Sequence, residues 1–169
     1  MRTPHFFAIE SVADTIAGTM GEGMVMDTVE KLDAIEEIKK LKARYFRFVD
    51  TRQWDSLRAL FTPDAQFDAE ASGLGRIADL DAFIDGARTN LTGCTSVHHG
   101  HCPEIEITSL TAASGIWAME DMLCWEAGPS GSERAVHGFG HYFEDYRKID
   151  GEWKIVRWKL TRLRVDTRP

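Results

Sequence analysis

The sequence predicts an α+β fold, with an antiparallel sheet packed against helices that come first in the chain. Three observations predict it. Residues 28–49 carry Leu32, Ile35, Ile38, Leu41, Tyr45 and Phe48 at three- and four-residue steps, the signature of an amphipathic helix. Residues 95–109, 114–126, 133–147 and 152–166 are rich in Val, Ile, Thr, Trp, Phe and Tyr and are separated by turn residues. Helices followed by a strand meander, rather than alternating with strands, belong to the α+β class.

The elements follow in order. Residues 1–26 read as an appendage. Phe6, Ile9, Val12 and Ile16 suggest a short helix, which Gly18, Gly21 and Gly23 interrupt, so this segment is either an extra helix or a mobile arm. The domain proper spans 27–169. Asp27 or Thr28 caps the first helix, whose other face holds Glu36, Glu37, Lys39, Lys40 and Lys42. A second helix runs from Trp54 to Phe61 and stops at Thr62-Pro63-Asp64. Ala65–Glu70 is a strand, Ser72–Gly75 a loop, and Leu80–Asn90 a third helix with Asp79 or Asp81 near its start. The four strands of the meander turn at 127–131 and at Asp150-Gly151.

Composition excludes several classes. The chain has 169 residues, 43% hydrophobic and 28% charged, enough to bury one core. Its net charge of -7, without a basic run, argues against a nucleic-acid partner. No apolar run approaches the ~18 residues of a membrane span. Cys94, Cys102 and Cys124 cannot all pair within the chain and form no CxxC, which suits a reducing cytoplasm.

Polar residues at apolar positions mark candidate chemistry. Asp121 interrupts the parity of Trp117, Met119, Leu123 and Trp125, and Glu120 interrupts the opposite one. At least one of the two sits in a buried or cleft position and needs a partner, for which a structural ion pair with an arginine suffices. Arg162 continues an apolar face of the last strand, and Arg164 shares its parity. Asp50 closes the first helix, where a carboxylate opposes the helix dipole by roughly 0.3–1 kcal/mol. It either caps the second helix together with Gln53 or serves a site. Tyr45, one turn before Val49 on the apolar side, is a core tyrosine or a site residue. The cluster His98-His99-Gly100-His101 suits acid–base work or, with His137 and His141, a metal site. The spacing of a cupin is absent, because Glu104 follows His101 by three positions. Strand 115–125 is apolar on both parities, so its second face is buried either between subunits or under the N-terminal arm.

Residues 33–68, with Asp50-Thr51 and Leu60-Phe61-Thr62-Pro63-Asp64-Ala65, resemble the opening of the SnoaL-like branch of the nuclear-transport-factor-2-like superfamily. So do Gly115-Ile116-Trp117, Asp121, Gly138-Phe139-Gly140-His141-Tyr142, Tyr146 and Gly151-Glu152-Trp153-Lys154-Ile155. The resemblance spans about 28–165 and implies a cone-shaped barrel whose curved sheet wraps helices around one deep pocket. The most similar enzymes are its lyases: scytalone dehydratase, bile-acid 7-alpha-dehydratase and hexachlorocyclohexane dehydrochlorinase. Their shared machinery is an Asp–His dyad, onto which Asp50 and His98, 48 positions apart, map. His99 is the alternative base if Gly100 kinks the strand. The bile-acid enzyme's pattern adds Tyr45, Asp121 and, on the last strand, Arg162. The dehydrochlorinase has its arginine about four positions earlier, where this chain has Trp158.

The resemblance therefore implies a dehydratase-type lyase with Asp50, His98, Tyr45, Asp121 and Arg162 as its catalytic set. It requires no metal and no organic cofactor. Trp54, Trp117, Phe139, Trp158 and His99 would bind a bulky apolar substrate such as a steroid, polyketide or terpenoid. An isomerase or cyclase would use the same pocket, and the fold also hosts non-catalytic binding modules. Homo-oligomers are expected, trimers before dimers.

Overall fold

The computed structural model describes residues 26–73, 75–126 and 134–168, so expectations for the arm and for the turn at 127–131 lie outside the described residues. Helix α1 (Thr28–Asp50) begins with a reciprocal cap. The Asp27 carboxylate accepts from the Glu30 N–H at 2.8 Å, and the Glu30 carboxylate accepts from the Asp27 N–H at 2.9 Å. Its buried stripe is Ala34, Ile38, Leu41, Lys42, Tyr45 and Val49. Lys42 thus belongs to the core, not to the solvent face, whereas Leu32 is exposed.

Helix α2 (Trp54–Arg58) is only five residues long, because the chain turns into strand β1 (Phe61–Ala69) before Pro63. Pro63 falls in the irregular stretch between Phe61 and Gln66, where the pairing of β1 with the last strand shifts, so no ladder bond is lost. A 3-10 turn (Glu70–Ser72) and the short β2 (Gly75–Ile77) stand where a loop is expected. Helix α3 (Leu80–Asn90) is capped by Asp79. Strands β3 (Cys94–Ile107), β4 (Ala112–Trp125), β5 (Arg134–Ile149) and β6 (Glu152–Arg168) complete one curved, six-stranded sheet in the order β2-β1-β6-β5-β4-β3. The meander is antiparallel as predicted, but β1 joins β6 in parallel. Asp150 and Gly151 both take positive φ, 50° and 85°, in the two-residue turn from β5 to β6.

The helices lie on the concave face. There Phe61, Phe67, Phe83 and Trp158 pack ring to ring, with Phe67 and Phe83 stacked at 4.5 Å. Two register shifts explain what parity alone leaves open. At Asp145/Tyr146 the shift inserts Val156, so Trp153 and Ile155 face inward and are followed inward by Trp158 and Leu160. At Phe139/Gly140 it inserts Leu163, so Arg162 lies opposite Gly140 and is half-buried, while Arg164 lies opposite Phe139 and is exposed. Among the described residues, no helix is long and apolar enough to cross a membrane.

Candidate active site

The end of α1 and strand β3 make the first half of the site. The Asp50 carboxylate leaves its helix and reaches across to β3. Oδ1 lies 2.6 Å from His98 Nδ1, and Oδ2 accepts the His98 backbone N–H at 3.0 Å. Ser96 Oγ donates to Oδ1 at 2.9 Å. A carboxylate only accepts, so Nδ1 carries the proton, and in the neutral imidazole Nε2 keeps its lone pair. Burial alone would raise the Asp50 carboxyl, but the hydrogen bonds from His98 and Ser96 outweigh it and hold the group below the usual carboxylate range. The capping alternative does not apply: Gln53, not Asp50, is the N-cap of α2, and it makes no side-chain cap.

Arg52 accounts for a carboxylate at a helix C-terminus. Its φ of 61° turns the chain back, and its guanidinium donates to the Val49 carbonyl at 2.7 Å and to Ser96 Oγ at 2.8 Å. It also donates to the carbonyls of Asp50 at 3.2 Å and Cys94 at 2.5 Å. A cation on the last carbonyls offsets the dipole and ties helix to strand. Sequence reasoning missed Arg52 and Ser96. Ser96 shares the inward parity of His98, two residues before it, which is a usable signal. Nothing in the pattern marks Arg52.

The second half of the site is an ion pair. Asp121, 2% exposed on β4, receives Arg162 of β6 through two bonds, Nη1–Oδ1 at 2.8 Å and Nη2–Oδ2 at 2.6 Å. The two strands are not neighbours, so the pair spans β5. Gly138 makes that possible: a Cβ there would sit 2.2 Å from Arg162 Nη1 and 2.3 Å from Asp121 Oδ1. Desolvation works against the guanidinium, but the paired carboxylate more than restores its basicity, so Arg162 stays charged.

A cavity of about 480 Å³ lies between the sheet and α3, and His98, Asp121, Arg162, Tyr45, Tyr142 and Trp158 all line it. Phe83, Leu91, Leu123, Val136 and Leu160 supply much of the remaining wall, which is mainly apolar. Burial pushes the Tyr45 hydroxyl well above its ordinary pKa, so it is a neutral donor across the physiological range. Trp158 Nε1 lies near that hydroxyl but makes no hydrogen bond of acceptable geometry. A depression of about 680 Å³ runs outside along β1, but Asp68 and Lys159 in its wall are paired with each other at 2.8 Å.

The structure therefore brings Asp50, His98, Tyr45, Asp121, Arg162 and Trp158 together. It does not bring the other four predicted substrate contacts there. Trp54 packs half-buried against the core at the start of α2. Trp117 is buried deeper in the cone, where its indole N–H donates to the Tyr146 hydroxyl at 2.8 Å. Phe139 lies on the outer face, 4.4 Å from the His137 ring. His99 is on the outer face as well, opposite Glu120. Gly100, whose kinking would have let His99 replace His98, pairs regularly with Met119. The irregularity of β3 comes later, between His101 and Glu104, with Cys102 at φ 40°, so His98 and His99 keep opposite parities. Tyr142, unassigned from the sequence, lines the cavity because it shares the inward parity of Gly138.

The matched family follows from these features. Residues 30–159 match the model of the SnoaL-like domain, and the chain belongs to that family, within the nuclear-transport-factor-2-like superfamily. FGR4 of Gibberella zeae, which bears the name of a probable cyclase, is 26% identical over 145 residues, covering 78% of this chain and 92% of that protein. Among solved structures, a Novosphingobium aromaticivorans protein provisionally named a scytalone dehydratase superposes with a TM-score of 0.73 at 22% identity, over 85% of this chain and 93% of that one. Hexachlorocyclohexane dehydrochlorinase LinA-type3 of Novosphingobium barchaimii gives 0.69 at 17% identity, over 84% and 94%. The likeness to these structures establishes the fold.

Proposed function

We propose that this chain is a cofactor-independent lyase of the dehydratase type, acting on a bulky apolar small molecule such as a steroid, polyketide or terpenoid. The observation that carries the reading is the Asp50–His98 pair, 2.6 Å apart, at the wall of an aromatic-lined cavity. Asp50 fixes the His98 tautomer, so Nε2 is the base that takes a proton next to a carbonyl. The electron pair of the broken C–H bond becomes the new C=C bond. The β-hydroxyl departs as water with the proton His98 carries. Tyr45, held neutral, donates a hydrogen bond to the departing oxygen. Arg162, fixed by Asp121, stabilises charge that develops on the carbonyl.

An isomerase or cyclase would begin with the same proton abstraction, and the likeness to a protein named a probable cyclase supports that second reading. Incubation with β-hydroxy ketones of polycyclic and polyketide type in deuterium oxide separates the possibilities. A lyase yields a product lighter by one water. An isomerase or cyclase exchanges or moves the α-hydrogen without losing water. Either change should disappear in His98→Ala. Binding of such ligands with no chemical change in any of them would make the chain a binding module and overturn the proposal.

A further inference from the structure

The convex face of the sheet carries a second group of histidines with no part in the pocket. His99 and His101 of β3 point outward, two residues apart, with ring centroids 5.8 Å from each other. Glu120 of β4 is the direct cross-strand partner of His99. One ligand atom from each of the three residues lies within 4.8 Å of the others. His137 of β5 holds the Glu120 carboxylate from the opposite side, Nε2 to Oε1 at 2.7 Å. We propose that His99, His101 and Glu120 form a binding site for a divalent transition-metal ion of the zinc type, on the outside of the cone and separate from the cavity.

Spacing is the main argument. Zinc holds nitrogen and oxygen ligands at about 2.0–2.2 Å, which in a tetrahedron sets neighbouring donor atoms roughly 3.3–3.6 Å apart. His101 Nε2 is 3.6 Å from Glu120 Oε2. That is too wide for a hydrogen bond, and it is close to the separation of two ligands sharing one ion. A plain His–Glu contact on this face looks different, as His137 shows at 2.7 Å. His99 completes the triangle with a ring nitrogen within 4.8 Å of the other two ligand atoms, on an exposed side chain.

The support around the ligands is the second argument. A ligating carboxylate uses one oxygen for the metal and has the other held by a hydrogen bond. Glu120 is arranged so, with Oε2 facing His101 and Oε1 taken by His137. Two imidazoles and one carboxylate suit zinc, copper or iron in its divalent form and leave outward coordination positions for water.

The test is zinc titration of the full, untagged chain against a chromophoric chelator, with X-ray absorption at the zinc edge. One ion per chain with two imidazole ligands is expected. His99→Ala and His101→Ala should each abolish tight binding. His137→Ala should weaken it by ~10–100-fold, the usual cost of losing a group that orients a ligand. Circular dichroism should show all three folded, since the substituted positions are on the surface. His98→Ala and His141→Ala should bind zinc like the unaltered chain. Failure of the unaltered chain to compete with the chelator would overturn the site. So would binding that survives both His99→Ala and His101→Ala, or that vanishes in His98→Ala.

Discussion

At the residue scale, the site is a set of groups each held by something specific. Asp50 keeps its carboxylate charged because His98 and Ser96 donate to it. Its folded-state pKa is below the ordinary value, so its contribution to stability is present at neutral pH and is lost as pH falls through the carboxylate range. Asp50→Asn should therefore flatten the acid limb of stability measured by chemical denaturation between pH 6 and 3. Arg162 and Asp121 behave as one buried unit. Arg162→Met leaves the buried Asp121 carboxyl without its partner, at a cost of ~3–5 kcal/mol. At ~2–4 °C per kcal/mol for a chain of this size, calorimetry should show a fall in melting temperature of roughly 6–20 °C. Gly138→Ala should cost ~1–3 kcal/mol by overpacking, because its methyl group enters the space of that ion pair.

At the element scale, α1 and the strands set which residues meet, and here legibility in the sequence varied. Apolar periodicity marked α1, α3 and the four long strands, because each buries one face and repeats its pattern over many residues. It placed Lys42 wrongly, because a lysine reads as solvent-facing wherever it stands. In the fold, Lys42 donates to Glu144 at 2.5 Å, with its ammonium 3.6 Å from the Tyr142 ring centroid. Desolvation pushes its pKa down to about 8, although Glu144 opposes the shift. The unfolded chain then binds more protons than the folded one between about pH 8 and the ordinary lysine value, so Lys42 contributes stability that rises with pH there. Denaturation of the unaltered chain and of Lys42→Met/Glu144→Gln from pH 8 to 9.5 should show that slope only in the former. The two register shifts in β6 were also hidden, since a bulge changes parity without changing composition. They decide between Arg162 and Arg164. Asp50 and His98 were legible through family spacing. Arg52 was not, because its role depends on a positive φ that no pattern announces.

At the scale of the whole molecule, the cone has an inner face that holds the cavity and an outer face that no described segment covers. Ile116, Ala118, Met122, Phe139 and Phe143 lie on that outer face, around the polar island of His99, His101, Glu120 and His137. An apolar sheet face of this kind predicts a homo-oligomer. Light scattering at micromolar concentration should give a multiple of the 19.1 kDa chain mass, and a monomer mass would contradict it. The claim that joins the three scales is that the fold holds Asp50 against His98 so that an imidazole works as a base inside an apolar cavity. The most direct test is kcat/KM for Asp50→Asn, His98→Ala and the double variant on a substrate the unaltered chain turns over. Each single variant should lose a factor of ~10² or more, the scale of general-base catalysis. The double variant should be little worse than either, because the two residues act as one unit. Full activity in Asp50→Asn would contradict the account and leave Asp50 as a structural tie between helix and strand.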